Sequence, residues 1–371
     1  MYRFTGFLAA AALAAAVPAV AQQPAAGGAY KVVKSARVGG EGGWDYIYAD
    51  VDGRRLYIAR GAVAAQSVPD RVMVYDLDSL APVGEIAPAG GHGAVVDSKS
   101  SHGFVSGKPV TMFDTKTLKA IKTIDVGTAQ PDGMTIDPAS ERVYVFSHPT
   151  KDATVIDAKD GTVLGRIDLG GVPEQGVADG KGMLYVVMQD NDGSVTVVDE
   201  KTMKATAHYP LGAAGGCNGL ALDVKNGVLF AACARSGNPL DRTKPMMVVL
   251  SAKDGKVLAN LPLAGASDGA AFNPSTLEAF SAHGNGTLTI VKETSPTTFE
   301  VEQNLDTMNG ARVITFDSKT NRVLTMAQEF GAPAAPPAAA PAAPGAPPAP
   351  ARGGGRGAVV PGSFTILAIG K

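Results

Sequence analysis

Residues 143–157 read VYVFSHPTKDATVID. Val143 to Phe146 is an apolar run around an aromatic residue, and Thr154 to Asp157 is a second apolar run that ends in Asp. Alternation of side chains and a high content of Val, Ile, Thr and Tyr are typical of β-strands. The polar segment between the two runs favours a loop. The stretch therefore predicts two neighbouring strands of an antiparallel sheet.

The same pattern recurs along the chain in both directions. An apolar strand that closes in Asp or Asn precedes each aromatic strand, and a Lys- and Thr-rich turn leads from the third strand into a fourth. The closing residues recur at intervals of 40 to 50 residues, at Asp50, Asp97, Asp137, Asp179, Asp223, Asn273 and Asp317. Units of four strands with this period are typical of β-propellers. The sequence predicts an all-β, seven-bladed propeller with four antiparallel strands per blade.

The seventh unit lacks a fourth strand of its own. Phe364 to Ile369 has the pattern of a third strand, and Lys31 to Val38, ahead of the first unit, is a strand without a unit. An open ring would leave exposed strand edges, which template aggregation. We therefore expect Lys31–Val38 to pair with Phe364–Ile369 and to close blade seven.

Several segments resemble a known repeat. Leu56-Tyr57-Ile58-Ala59 and Val143-Tyr144-Val145-Phe146 are similar to degenerate YVTN motifs, and residues 112–127 are similar to the companion half of that repeat. The chain resembles the YVTN-repeat seven-bladed propellers, including YncE-like periplasmic proteins, over nearly all of its length after residue 29 except a Pro-rich insert. The resemblance implies the fold, and it implies a role in binding a ligand or a partner.

Composition and motifs exclude some classes of function. The chain of 371 residues has 33 Lys and Arg against 35 Asp and Glu, a formal charge of −2. A nearly neutral chain has no electrostatic footprint for nucleic acid, so DNA and RNA partners are not expected. The sequence contains no P-loop, H-E-x-x-H, G-x-S-x-G, C-x-x-C or c-type haem attachment motif. It therefore predicts no cofactor and assigns no catalytic residue and no metal ligand.

The N-terminus has the pattern of a targeting segment. Arg3 is followed by a small-residue apolar run, and Ala19-Val20-Ala21 is an A-x-A cleavage site. We expect a signal peptide at 1–21, a flexible mature N-terminus at 22–29, and the propeller at 30–371. No transmembrane segment is expected in the mature chain. These features predict a periplasmic or secreted protein, expected to be a monomer.

A segment of unusual composition interrupts blade seven. Residues 328–361 are rich in Pro, Ala and Gly, which cannot form a packed core and which favour an extended chain. The sequence predicts a disordered insert there, serving as a tolerated surface insertion or as a tether to the cell envelope. Two other long connections, Arg60 to Arg71 and Ala234 to Lys244, lie on the same face of a propeller. This face also contains one mouth of the central channel, and we expect it to be the working face.

Polar residues mark the strand ends at this channel mouth, the end at which the innermost strands begin. Reflection about the intervening turns predicts, to within about one residue, that Asp45 faces Arg60, Asp132 faces His148, and Asp268 faces His283. The two Asp–His pairs, with His92, suit either a ligand contact or a metal or acid–base site, in which each Asp raises the pKa of its His. Solvated strand ends are the plain alternative. The candidate ligand-binding residues are Asp45, Arg60, His92, Asp132, His148, Glu174, Gln189, Asn218, Asp268, His283 and Arg312.

The two cysteines fit the same hairpin geometry. Cys217 and Cys233 are equidistant from Lys225, which lies in the turn between two predicted strands of blade five. Residues that face each other across such a pair can be joined by a disulfide. The sequence predicts a Cys217–Cys233 disulfide, with two buried free thiols as the alternative.

These observations predict an extracytoplasmic propeller that binds a small ligand or an envelope protein at the channel mouth. The main alternative is an enzyme, either a lactonase-like hydrolase or a metal-dependent activity, that uses the Asp and His residues of the mouth. A third possibility is a structural envelope protein held by the insert.

Overall fold

The structure is a computed structural model that describes residues 29–128, 130–235, 243–332 and 357–371. The predicted signal peptide at 1–21, most of the predicted flexible N-terminus and the centre of the predicted insert lie outside the described residues. Within the described part of the chain, no helix is long and apolar enough to span a membrane.

The described residues form 28 strands and one short 3₁₀ turn at Ala64–Gln66. In chain order the strands are β1 (Lys31–Arg37), β2 (Trp44–Asp50), β3 (Arg55–Arg60), β4 (Arg71–Asp76), β5 (Pro82–Ile86), β6 (Ala94–Asp97), β7 (His102–Val105), β8 (Val110–Asp114), β9 (Ala120–Ile124), β10 (Pro131–Asp137), β11 (Arg142–Ser147), β12 (Asp152–Asp157), β13 (Val163–Asp168), β14 (Pro173–Ala178), β15 (Met183–Met188), β16 (Ser194–Asp199), β17 (Lys204–Pro210), β18 (Gly215–Asp223), β19 (Val228–Arg235), β20 (Met246–Ser251), β21 (Val257–Pro262), β22 (Ser267–Asn273), β23 (Glu278–His283), β24 (Thr287–Ser295), β25 (Thr298–Asp306), β26 (Ile314–Asp317), β27 (Arg322–Ala327) and β28 (Thr365–Gly370).

The strands form seven sheets of four antiparallel strands, which are the seven predicted blades. Six blades use four consecutive strands, from β2–β5 in blade one to β22–β25 in blade six. Blade seven has the order β1-β28-β27-β26, and Lys31 pairs with Gly370 while Arg37 pairs with Thr365. The predicted fold and the predicted closure by the N-terminal strand are both confirmed.

The recurring Asp and Asn residues have a common local role. At the end of each innermost strand the side-chain oxygen accepts hydrogen bonds from backbone N–H groups two or three residues later, as Asp137 does from Ala139 (3.0 Å) and Ser140 (2.8 Å). Short polar side chains favour such Asx turns. The same bond occurs in the other blades, at Asp50, Asp97, Asp179, Asp223, Asn273 and Asp317. The interval of 40 to 50 residues at which Asp or Asn recurs in the sequence is therefore the interval between these turns.

The apolar core lies between the blades. The second strand of a blade is buried on both faces, as in β11, where Val143 to Phe146 are at most 1% exposed. Each of these strands packs against its neighbours on either side, so that Tyr144 and Phe146 contact Leu184 and Val186 of the next blade. Burial on both faces explains why these strands are continuous apolar runs rather than strictly alternating ones. Each buried side chain of this size contributes about 1.5–3 kcal/mol of transfer free energy.

The insert of blade seven has an ordered base. Phe330 pairs with Val359, the Gly331 N–H donates to the Ala358 carbonyl (2.7 Å), and the Val360 N–H donates to that of Glu329 (2.9 Å). Backbone pairing therefore extends into the segment 328–361 from both sides, and the disordered insert stays a prediction. Residues 333–356 lie outside the described residues.

Candidate functional site

β-Bulges in the innermost strands place polar side chains at the channel mouth. Five innermost strands have an irregular register close to their first residue, for example β2 between Trp44 and Ile47 and β22 between Ser267 and Gly269. A bulge inserts an extra residue and re-aims its side chain, and such bulges are common next to functional sites. The residues inside the five irregularities are Asp45, Tyr46, Asp132, Gly133, Glu174, Gln175, Asn218 and Asp268.

Five of the predicted site residues form one continuous acid–histidine cluster, defined as Asp45, His92, Asp132, His148 and Glu174. His92 Nδ1 lies 2.7 Å from Asp45 Oδ2 and 3.2 Å from Asp132 Oδ1. His148 Nε2 lies 3.0 Å from the other oxygen of Asp132 and 3.5 Å from Glu174 Oε1. Asp132 therefore lies between two imidazoles and offers a different oxygen to each.

The cluster extends to two further side chains through Glu174. Gln189 donates from its side-chain amide to Glu174 Oε1, and the Tyr46 hydroxyl donates to Oε2 (2.7 Å). Both Asp132 and Glu174 are only 8% exposed. A carboxylate in such surroundings keeps its charge only where hydrogen bonds or positive charges compensate for the lost solvation.

Proton affinities follow from these contacts. The hydrogen bond to Asp45 raises the pKa of His92, and the Asp132 carboxylate 3.0 Å from Nε2 raises the pKa of His148. Burial raises the pKa of Glu174 to about 7. Burial acts in the same direction on Asp132, but the two imidazoles outweigh it and lower the pKa of that carboxyl. Both imidazoles of the cluster thus favour the protonated form.

Two side chains cross the channel below the mouth. Tyr46 of blade one reaches Glu174 of blade four, passing Gly93 and Gly133 of the intervening blades. A Cβ atom at Gly133 would lie 2.9 Å from the Tyr46 hydroxyl oxygen, and one at Gly93 would lie 3.2 Å from Tyr46 Cβ. Glycine at these two positions therefore makes room for the tyrosine.

Gln175, also in blade four, crosses toward the opposite side. Its side-chain oxygen accepts from the N–H groups of Leu220 and Ala270 (both 3.0 Å), and its amide nitrogen donates to the Ala270 carbonyl (2.9 Å). Beyond these side chains the channel contains a cavity of about 410 Å³ lined by the innermost strands of all seven blades. Tyr46 and Gln175 line this cavity, and so do Glu174 and Asp268 of the mouth.

The other half of the mouth has its own network. Asn218 donates to Asp268 Oδ1 (2.9 Å), and Arg312 Nε lies 2.5 Å from Asp268 Oδ2. Asp268 is therefore neutralised by an arginine and an amide, unlike the carboxylates of the acid–histidine cluster. A second cavity, of about 470 Å³, opens beside the cluster, where Trp44, Asp45, His92, Lys108 and Pro131 are among its lining residues.

The paired position of His283 is within one residue of the prediction, but its side chain lies inside blade six rather than at the mouth. Ser267 is the residue paired with His283, because the bulge turns Asp268 toward the channel. His283 is fully buried, where Nδ1 contacts Thr287 Oγ1 (2.9 Å) and Nε2 contacts Ser281 Oγ (3.1 Å). Burial lowers its pKa to about 4, the opposite of the predicted direction.

Arg60 is also placed inside the fold. It is paired with Trp44 rather than with Asp45, and it is 1% exposed. Its guanidinium donates to the carbonyls of Gly40 (2.9 Å) and Gly42 (3.0 Å) and lies 3.7 Å from the centroid of the Phe364 ring. Arg60 therefore joins blade one to blade seven instead of contributing to the mouth.

In blade five the cysteines occupy the paired position that Ser267 and His283 occupy in blade six. Cys217 pairs with Cys233, and the two form a disulfide. Both residues are fully buried. The predicted disulfide is confirmed, and it lies directly behind the bulge that presents Asn218.

Sequence reasoning missed Tyr46 and Gln175. Each lies next to a predicted site residue, but Tyr46 contacts a residue three blades away and Gln175 contacts residues one and two blades away. Contacts across the channel axis leave no periodic signal in a sequence. The nearest available signal was the pair of small residues at Gly93 and Gly133, which the tyrosine needs.

Solved structures share this fold. The chain is similar to one in the structure of Kuenenia stuttgartiensis hydrazine synthase, with a TM-score of 0.64, 16% identity, and coverage of 76% of this chain and 92% of that one. It is similar to U3-55K (TM-score 0.63, 10% identity, 80% and 90% covered) and to the WD40 repeats of RRP9 (0.63, 10%, 82% and 91%). No protein-family model and no curated protein matches the sequence. At these identities the similarities establish the β-propeller fold alone, and the specific YVTN-repeat family stays a prediction.

Proposed function

We propose that the protein is an extracytoplasmic binding protein whose channel mouth holds a positively charged group of a small ligand. The observation that supports this proposal is the excess of carboxyl groups over cationic groups in the acid–histidine cluster. In the acid–histidine cluster, Asp45, Asp132 and Glu174 are three carboxyl groups that face two imidazoles, whereas Asp268 is paired with Arg312 and Lys108 lines the outer cavity. Partly buried charge of one sign in a concave site attracts ligands of the other sign.

Access supports the same proposal. The cavity of about 470 Å³ reaches Asp45 and His92 from solvent, and the side chain of His92 is 49% exposed. Tyr46 and Gln175 reach from their own strands to other blades, so we expect them to hinder the passage of a ligand along the channel. A bounded polar pocket with convergent charged groups suits a small ligand better than a broad protein surface.

Binding is favoured over the hydrolase alternative by a specific observation. That alternative used the Asp and His residues of the mouth. Of its two predicted Asp–His pairs, Asp132 with His148 forms and Asp268 with His283 does not, while His92 lies between Asp45 and Asp132. One buried carboxylate shared by two imidazoles is better suited to holding charge than to a symmetric acid–base reaction.

A thermal-shift screen in buffer with a chelator tests the binding proposal. The full chain is heated with small primary amines, guanidines and quaternary ammonium compounds, and with neutral and anionic compounds of the same size. We expect only cations to raise the melting temperature, in proportion to the logarithm of their concentration. Asp132→Asn should abolish the shift, and His208→Asn, a matched change outside the mouth, should keep it. Stabilisation by anions, or an unchanged response in Asp132→Asn, contradicts the proposal.

The extracytoplasmic part of the proposal rests on the targeting pattern at 1–21 and on the disulfide, since disulfides persist mainly in oxidising compartments. Intact mass of the protein recovered from a bacterial periplasm tests both. We expect a chain that starts at Gln22 and is lighter by two hydrogens than its dithiol form. An uncleaved chain retained in the cytoplasm contradicts this localisation.

A further inference from the structure

The acid–histidine cluster contains two complete ligand sets. Asp45, His92 and Asp132 each place one ligand atom within 4.8 Å of the other two, and so do Asp132, His148 and Glu174. The sets share one residue, and they share it through different atoms, since Asp132 Oδ1 faces His92 and Oδ2 faces His148. A carboxylate that offers one oxygen to each of two sites is the arrangement that bridges paired metal ions.

The orientation of His148 is an independent observation. Its Nε2 is buried, yet it makes no well-aligned hydrogen bond although Asp132 Oδ2 is 3.0 Å away. The backbone carbonyl of Pro173 also lies close to this ring. A carbonyl that holds the ring of a histidine while another ring nitrogen faces carboxylates is a common outer contact of metal-ligating histidines.

We propose that the channel mouth binds a pair of first-row divalent transition-metal ions, such as Zn²⁺, with Asp132 as the bridging ligand. The proposal rests on the mouth being the binding face and names a ligand class for it. A mixture of imidazole nitrogen and carboxylate oxygen suits Zn²⁺ and its neighbours, whereas Ca²⁺ and Mg²⁺ prefer oxygen alone.

The two sites differ in access. In the first set the side chains of Asp45 and His92 are 29% and 49% exposed, and this set borders the outer cavity. In the second set Asp132 and Glu174 are 12% and 10% exposed at their side chains, and Gln189 and Tyr46 hold both oxygens of Glu174. We expect the first site to exchange its ion readily and the second to exchange more slowly.

Zinc titration of the chelator-stripped full chain, made without a histidine tag, tests the proposal by calorimetry. We expect two ions per chain in the wild type. Asp45→Asn should lose the first ion only, Glu174→Gln the second only, and Asp132→Asn both. Asp268→Asn is the matched control, because it removes a carboxylate from the same mouth that is already paired with Arg312 and Asn218. It should keep both ions.

Several outcomes overturn the proposal. Among them are no zinc binding at submillimolar concentration, a loss in Asp268→Asn equal to that in Asp132→Asn, and unchanged stoichiometry in Asp132→Asn. Mn²⁺ provides a second readout, since two ions bridged by one carboxylate give an exchange-coupled paramagnetic resonance spectrum, and isolated ions contradict the bridge. Should Asp132→Asn fail to fold, the two single-site variants still decide the matter. If organic cations bind while Zn²⁺ does not, the pair is disproved and the binding function is not.

Discussion

At the scale of single residues, Asp132 connects the two histidines of the mouth. Its two oxygens lie 3.2 Å from His92 Nδ1 and 3.0 Å from His148 Nε2. Asp45 and Glu174 flank the same two rings, so each imidazolium has a carboxylate on either side. The protonation state of the mouth therefore depends on one buried side chain.

We expect Asp132→Asn to lower the pKa of both His92 and His148 in the metal-free protein. Because the pKa of each ring is raised in the folded state, protonation stabilises the fold below the unfolded pKa of about 6.5, and this contribution is lost as pH rises through the folded value. NMR titration of the imidazole signals measures the change. The buried His283, with its pKa of about 4, is the internal control and should not move. A shift in only one of the two rings would contradict the shared position of Asp132.

A substitution at Gly133 tests whether the Tyr46 side chain is held in its position across the channel. A methyl group at this position would lie 2.9 Å from the tyrosine oxygen and 3.0 Å from Cζ, and the rigid ring is confined. We expect Gly133→Ala to lower the free energy of unfolding by about 1–3 kcal/mol, as overpacking does. Gly43→Ala, where an added Cβ meets nothing within 4 Å, is the control and should be nearly neutral. Urea denaturation measures both, and equal stabilities would show that Tyr46 is free to move.

At the scale of elements, the bulges decide what sequence reasoning could reach. Strand positions, the Asx turns and the disulfide follow from local pattern and from reflection about a turn. Reflection assumes one residue opposite one residue, and each bulge shifts the register by one residue. In β18, Gly219 pairs with Ala232 on the turn side of the bulge, and Cys217 pairs with Cys233 on its far side. Asp268 is the extra residue in β22, so it points to the channel while Ser267 takes the place opposite His283. No residue type in these strands signals the insertion. The expected contact of Asp132 with His148 is present, whereas Asp268 contacts Arg312 and Arg60 contacts the backbone of Gly40 and Gly42. That these residues bind a ligand stays a prediction.

The closing strand β1 provides the prediction at this scale. Removing residues 31–37 would leave β28 as an unpaired outer edge and would expose buried side chains of blade seven, such as Ile366. We expect the chain without β1 to unfold at a clearly lower urea concentration than a chain that starts at Ala29, and to self-associate. Denaturation and size-exclusion chromatography of the two chains measure this. Equal midpoints would mean that β1 contributes nothing to ring closure.

At the scale of the whole molecule, buried carboxyl groups set the dependence of stability on pH. Burial raises the pKa values of Glu174, Glu200 and Glu293 to about 7. Since these values lie above that of an unfolded Glu, stability is greatest while the groups are protonated and falls as pH rises from about 4.5 through 7. His283 acts in the opposite sense, because its lowered pKa means that stability falls as pH drops from about 6.5 toward 4. Taken together, these groups should make the protein most stable at about pH 5 to 6.

Glu293→Gln isolates one of these groups. Glu293 is 1% exposed, its Oε1 accepts from Asn226 (2.8 Å), and its Oε2 has no hydrogen-bond partner. We expect the variant to be more stable than the wild type at pH 8 by about 1 kcal/mol or more, and to differ little at pH 5. Glu300→Gln, on the exposed face of β25, controls for the loss of a charge. Urea denaturation at both pH values gives the comparison, and a difference that does not change with pH would rule out ionisation as its cause.

The closure of blade seven also bears on the order in which the blades follow one another along the chain. Lys31 lies opposite Gly370 across two antiparallel strands, and the Tyr30 ring lies 4.9 Å from Lys371 Nζ. A short turn between these positions would convert β28 and β1 into an ordinary hairpin. The polypeptide would then be a closed loop that can be opened between any two blades, so circular permutants that begin at blade two or blade five would retain the same channel mouth. The order of the blades along the chain is thus one of several that this architecture accepts.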